Sequence, residues 1–378
     1  MYIAVGSILV KNKNTWYYIQ DNIYKCLLIR GFGISMTEKL KHISFLDTAR
    51  GIAIILVVFG HSLAPEIRST QGYGTIFHWI YSFHMPLFAI ISGYLFGKNI
   101  DNYKKRGFAV FAKQRFLSLM IPYLTVSIIS YIGFAVAFQI PTLSVILSRT
   151  GYTSPEFKSA VTQILFCQDN MDKHMWFAYA LFIISVLSYL IGHAVTRYHG
   201  IFFAFILYVL NYYLQLPEIL YRIFCLWIFF TIACQKNLID RLIEKKYILP
   251  VLIVHIAAYL LRLSNILIPY KIPDALIAVI TGLSGSIFVL SVSKNYMRGA
   301  VNRTIEFLGR ESFSIYLMHQ PFIVSGASGI LLASASLPYM AICILTTIFG
   351  IAIPLFLSRI IINRVGILKK LILGKFKD

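Results

Sequence analysis

The sequence predicts an all-α fold, a polytopic integral membrane helical bundle of about ten transmembrane helices. Three observations carry that expectation. Of 378 residues, 58% are hydrophobic and only 13% charged, and mean hydropathy is +0.72, more apolar surface than a soluble domain can hide. Apolar runs long enough to cross a bilayer recur from Ser44 to about Arg359. Those runs are far longer than barrel strands need, and a helix satisfies its own backbone in lipid.

Taken in order, the expected spans are 44–64, 74–97, 115–137, 175–192, 200–216, 219–235, 247–265, 272–292, 310–332 and 337–360. Before them, Lys11–Asn14 interrupts one apolar patch, and Asp21 and Lys25 interrupt the next. The segment has no apolar core with a cleavage site, so no signal peptide is expected. Met36, leading into Thr37-Glu38-Lys39-Leu40-Lys41, is the expected translation start. The chain thus divides into a cytoplasmic amino-terminal segment 1–43, one membrane domain 44–360, and a basic cytoplasmic tail 361–378. Between spans, the one sizeable polar stretch is about 138–174.

The net charge of +20 is a matter of topology, not of nucleic-acid binding. With the amino terminus inside, inner segments hold 27 of the 35 Lys and Arg. Outer loops hold seven: Arg68, Arg149, Lys158, Lys173, Arg222, Arg262 and Lys271. The remaining one is Arg50. This is the positive-inside bias, and it puts both termini in the cytoplasm. Contact with anionic lipid accounts for much of the inner charge. The five cysteines (Cys26, Cys167, Cys225, Cys234, Cys343) show no paired spacing, so neither a disulfide framework nor a metal site is expected.

Arg50 and His61 are the costly residues, because both interrupt the first apolar run. Eleven helical residues bring His61 within about 20° of Arg50 around the helix and roughly 16 Å further along it. Asp47, three residues before Arg50, falls on the same stripe and is placed to pair with it. Asp47 is about 21 Å from His61 along the axis, too far to orient it.

The second span contains Phe83-His84-Met85-Pro86 and then Ile91-Ser92-Gly93-Tyr94. Pro86 removes a backbone hydrogen bond and predicts a kink, with His84 beside the freed carbonyl. Ser92 and Gly93 allow close approach of a neighbouring helix or an acyl chain. Proline kinking and small-residue packing also account for this segment without chemistry. Lys104-Lys105-Arg106 reads as ordinary inner-face charge, while Lys113 and Arg115 abut the start of the third span, where a cation can hold phosphate. His174-Met175-Trp176-Phe177 opens the fourth span, with Trp176 as an interfacial anchor. In the ninth, Ser312-Phe313-Ser314-Ile315-Tyr316-Leu317-Met318-His319 puts His319 at mid-membrane depth beside Pro321, either as a core histidine or as a site residue. His42, His78, His193 and His199 fall at membrane edges. Phosphate-loop, dinucleotide, nucleophile-elbow and zinc-helix motifs are absent.

Taken together these motifs resemble the acyltransferase family 3 membrane proteins, which O-acetylate bacterial surface polysaccharides. The likeness runs from about Ser44 to the last span. Its most specific part is Leu46-Asp47-x-x-Arg50-Gly51 with Arg50-x10-His61. Ser92-Gly93-Tyr94, Arg115 before Pro122-Tyr123, Trp176-Phe177 and the Gly309 to His319 segment agree in order and spacing, and Phe83-His84-Met85-Pro86 leans to the fucose 4-O-acetylase-like branch. One departure is Ser118, where the family often carries a second basic residue after Arg115. The resemblance implies acetyl-CoA as cytoplasmic donor, a polysaccharide or lipid-linked sugar as acceptor, no permanently bound cofactor and no metal. It also implies a location in the bacterial cytoplasmic (inner) membrane. His61 and Arg50 are then catalytic, with Arg50, Arg115 and Lys113 on the donor. Asp47, His84, Ser92, Tyr94, Trp176 and His319 line the pocket or support it. His61 takes the role of general base, with a nucleophilic role open. The alternative within the family is a polysaccharide exporter or flippase.

Overall fold

The computed structural model describes residues 36–376, apart from 71, 150, 151, 169–171, 197, 215, 268 and 335. The readings made on residues 1–35 lie outside them. The chain separates into two units, Met1–Ser44 and Phe45–Asp378, and the helical bundle belongs to the second.

The described residues contain helices and no strand. Seven helices are long and apolar enough to cross a membrane: α1 (Ser44–Ser62), α2 (Tyr73–Arg106), α3 (Phe108–Ala137), α4 (Trp176–Val195), α7 (Lys245–Leu263), α8 (Lys271–Asn295) and α11 (Tyr339–Arg364). Between α4 and α7 lie the shorter α5 (Tyr198–Leu214) and α6 (Glu218–Cys234), which meets Lys236–Leu242 at a bend of 84°. The ninth expected span, 310–332, is not one helix. It divides into α9 (Ser312–Met318) and α10 (Val324–Ser334), and the chain turns at His319-Gln320-Pro321, where proline withholds a donor from the helix. The expected ten apolar runs are therefore all helical, but three are short, bent or broken. Pro86, in contrast, lies within α2 without ending it.

Glycines decide how the helices at the centre meet. A Cβ on Gly93 would stand 2.1 Å from the Phe230 carbonyl oxygen, and one on Gly97 2.5 Å from that of Cys234. The Gly93–Gly97 ridge of α2 therefore lies directly on the backbone of α6, so it is a neighbouring helix that the small residues admit. A second crossing is reciprocal. The amphipathic helix Gly299–Arg310 presses its Ile305 carbonyl onto Gly51 of α1, while Gly309 receives the Asp47 carbonyl, each at 2.0 Å or less from a notional Cβ. Thr48 donates to Asn302 Oδ1 across the same contact at 2.9 Å. This crossing brings the Arg310 end of that helix to the Arg50 end of α1. Side chains such as Ile128, Ile132, Leu249 and Ile253 project outward, as a lipid-facing surface requires.

Candidate active site

Four histidines from four segments converge around the last turn of α1. His61 supplies the first, and its ring centroid lies 5.2 Å from that of His319 and 6.2 Å from that of His174. His174 and His319 are 4.7 Å apart. Tyr81 stands edge-on to His61 at 6.2 Å and to His84 at 4.6 Å.

The hydrogen bonds fix which ring nitrogen donates, because a carbonyl can only accept. His84 Nδ1 donates to Ile80 O at 2.8 Å. His319 Nδ1 donates to the carbonyls of Tyr316 (2.9 Å) and Ile315 (3.1 Å). His319 Nε2 is buried and without a hydrogen-bond partner. His174 Nε2 donates to the same Tyr316 carbonyl at 2.8 Å, and its Nδ1 lies against the Asp172 carboxylate. Ser130 Oγ holds the other oxygen of Asp172 at 2.7 Å. The break after α9 is what frees this corner of backbone to serve two imidazoles. Among the three clustered rings His61 is half-buried, while His174 and His319 are buried.

Two cavities meet beside this cluster. The larger, about 490 Å³, is lined by His61, His84 and His174, by Tyr81, Tyr152 and Trp176, by Gln320, Ser325 and Ser328, and by three cations, Arg68, Lys173 and Arg222. The smaller, about 270 Å³, is largely apolar, with Phe88, Leu119, Phe177 and Leu181 as walls and Arg50, Arg310, Ser92 and Ser312 as polar points. Val57, Met85 and Tyr316 line both. Val57 is one helical turn before His61, so the stripe along α1 joins the cavities.

Several expected residues occupy these cavities: His61, His84 and Trp176 the larger, Arg50 and Ser92 the smaller. Asp47 pairs with Arg50 at 2.9 Å. His319 packs against the cluster from behind. Tyr94 instead donates to Asp240 at 2.9 Å and lines neither cavity, which makes it a tie between α2 and the bend after α6. Arg115 lies over the rings of Phe111 and Tyr103, about one turn from Leu119 of the smaller cavity, and Lys113 is exposed. Sequence reasoning passed over the Asp172–His174 pair, Tyr316 and Arg310. A carboxylate two residues before a histidine at a loop-to-span junction was the available signal for the first.

Residues 43–358 match the family model described as "Acyltransferase domain". Over 81 residues the chain is 43% identical to "Nodulation protein NolL" of Sinorhizobium fredii. It is 40% identical over 81 residues to the protein of that name from Mesorhizobium japonicum. Each match covers 21% of this chain and 21% of the relative, so the chain spans a small part of the curated relatives it matches. No solved structure matches the chain.

Proposed function

As the chain belongs to the acyltransferase domain family, we propose that it is a multi-pass O-acetyltransferase of the bacterial cytoplasmic membrane. It moves an acetyl group from cytoplasmic acetyl-CoA to a hydroxyl of a cell-surface or lipid-linked saccharide. The observation that carries this reading is the pair of unlike cavities meeting at one histidine cluster. A small, largely apolar cavity with Arg50 and Arg310 suits the arm of a thioester whose far end is polyanionic. A roomier cavity edged by tyrosines, tryptophan and small hydroxyls suits a sugar, which stacks on rings and trades hydrogen bonds.

In this reading the acetyl thioester is held against the shared wall at Val57, Met85 and Tyr316, and the saccharide enters from the other side. His61, the half-buried ring of the three that line the larger cavity, takes the proton from the attacking hydroxyl. The sugar oxygen forms a bond to the acetyl carbon, the carbon–sulfur bond breaks, and CoA leaves as a thiolate that takes up a proton. His61 then loses the proton it accepted. The Asp172–His174 pair and His319 hold the wall behind His61 in one arrangement, so little reorganisation is needed at the moment of transfer. Asp47 steers the Arg50 guanidinium, leaving its remaining donors for the thioester or the phosphates beyond it.

The test is NMR of surface polysaccharide from a deletion strain complemented with wild type, His61→Ala or Arg50→Ala, with membrane levels measured in parallel. Loss of O-acetyl signals in both variants at normal protein level is the expected result. Full acetylation by a well-expressed His61→Ala variant sinks the proposal. Normal acetylation with defective export in the deletion strain points to a transporter instead.

A further inference from the structure

The outer segments of this chain carry seven of its 35 Lys and Arg, as topology demands of a membrane protein. Three of those seven, Arg68, Lys173 and Arg222, line the cavity that holds His61. Among the described residues, no Asp or Glu lines it. The carboxylate of the histidine cluster, Asp172, is already taken up by His174 and Ser130 behind the wall. A concentration of positive charge where positive charge is otherwise avoided calls for a ligand of opposite sign.

How the arginines are held supports this. The Arg68 guanidinium lies over the ring of Phe77 at 4.5 Å, and that of Arg222 over Trp176 at 4.6 Å. Stacking on a ring fixes a guanidinium plane and leaves its N–H edge for a planar or tetrahedral oxyanion. Arg68 has no carboxylate partner among the described residues, and its Nε is buried without a hydrogen-bond partner. Arg222 is paired to Glu218, one turn earlier on α6, a side chain that is itself exposed and that does not line the cavity. Phe77 and Trp176 both sit beside the histidine cluster, Trp176 on the helix just after His174 and Phe77 stacked on Tyr81 at 3.9 Å between ring centroids. The cations are thus on the same rigid wall as the reacting groups.

We propose that the acceptor is an anionic saccharide, whose phosphate-type or carboxylate group is held by Arg68 and Arg222 while a hydroxyl of the same molecule faces His61. The proposal rests on the acceptor reading above and gives it a substrate class. The acidic group orients the sugar, so that one hydroxyl among several is offered to the base. The two sources of such a group are a diphosphate linking the sugar to a lipid carrier and a uronic acid within the glycan.

Binding in the absence of acetyl-CoA tests this independently of turnover. The full chain, reconstituted in nanodiscs of neutral lipid, is titrated calorimetrically with three probes: a prenyl-diphosphate N-acetylglucosamine, a glucuronate-containing tetrasaccharide, and the methyl ester of that tetrasaccharide. At least one acidic probe is expected to bind ten or more times tighter than the neutral ester, with affinity falling as salt is raised. Which acidic probe wins identifies the source. Arg68→Gln and Arg222→Gln each remove the preference, while Arg68→Lys, which keeps the charge, retains part of it and controls for misfolding. Equal binding of acidic and neutral probes, binding of none, or an acid preference undiminished in both Gln variants overturns the proposal. So does full displacement of the acidic probe by CoA, which would make this cavity the donor site. Failure of acetyl transfer with the preference intact would instead count against the catalytic reading alone.

Discussion

Tyr316 and His174 exchange hydrogen bonds in both directions: His174 Nε2 donates to the Tyr316 carbonyl at 2.8 Å, and the Tyr316 hydroxyl donates to the His174 carbonyl at 3.0 Å. The same hydroxyl accepts from the Ala178 N–H at 3.2 Å. One side chain therefore clamps the loop before α4 to the broken helix, and it lines both cavities while doing so.

Removing that hydroxyl leaves two buried backbone groups short of a partner. Tyr316→Phe is expected to destabilise the protein by about 1–3 kcal/mol, seen as a lower midpoint in thermal unfolding in detergent. Acetyl transfer should fall with it even at temperatures where the variant is fully folded, because the His174 carbonyl is no longer pinned. A variant with wild-type midpoint and rate would show the clamp to be inert.

Asp172→Asn keeps the volume and leaves an oxygen for Ser130, but takes the negative charge from His174 Nδ1. The expected result is a fall in kcat of roughly tenfold or more, in the range typical of disturbed acid–base machinery, with the protein still accumulating in membranes. Steady-state assay of the purified variant with labelled acetyl-CoA decides it. An unchanged kcat would reduce Asp172 to a loop anchor.

The smaller cavity, proposed above to hold the donor, ranks the cations. Arg310 lines it beside Arg50, whereas Arg115 is occupied with Tyr103 and Phe111. Arg310→Ala is expected to raise the KM for acetyl-CoA about tenfold, the loss of one good charged contact, and Arg115→Ala by less than about twofold. The reverse ranking would return Arg115 to the donor site.

Glycine substitutions separate packing from propensity. At Gly309 an added Cβ would stand 1.7 Å from the Asp47 carbonyl oxygen, while at Gly326 it meets nothing within 4 Å. Gly309→Ala should cost about 1–3 kcal/mol and raise the KM for acetyl-CoA by displacing Arg310. Gly326→Ala, in a helix, should be neutral or stabilising by up to about 1 kcal/mol. Paired thermal melts check both.

The membrane spans were legible because run length and hydropathy are local. So was the stripe of Asp47, Arg50 and His61 on α1, since helical geometry fixes neighbours three, four or eleven residues apart. The meeting of His61 with His319 was not, because the two are far apart in the chain and only tertiary packing joins them. Asp172 stands in a polar loop where no periodicity marks it, and Arg310 reads like one more inner-face charge at the edge of a span. The break at His319-Gln320-Pro321 was signalled by the proline, yet an apolar run of adequate length outweighed it. Tyr94 is close to Ser92 in sequence, but on a helix the two lie about 200° apart, so they could not share a wall.

Val57, Met85 and Tyr316 line both cavities, and that shared boundary has an electrical meaning. In an energised bilayer a charge carried the whole way across does work of about 2.3 kcal/mol per 100 mV, and a charge passed from one cavity to the other does a share of it. An acetyl group is uncharged and crosses for nothing. In the proposed reaction, run with the donor on the cytoplasmic side, the proton taken from the sugar is another matter: if it continues to the CoA sulfur, each turnover moves one positive charge inward, and the membrane potential itself becomes a driving force for acylation.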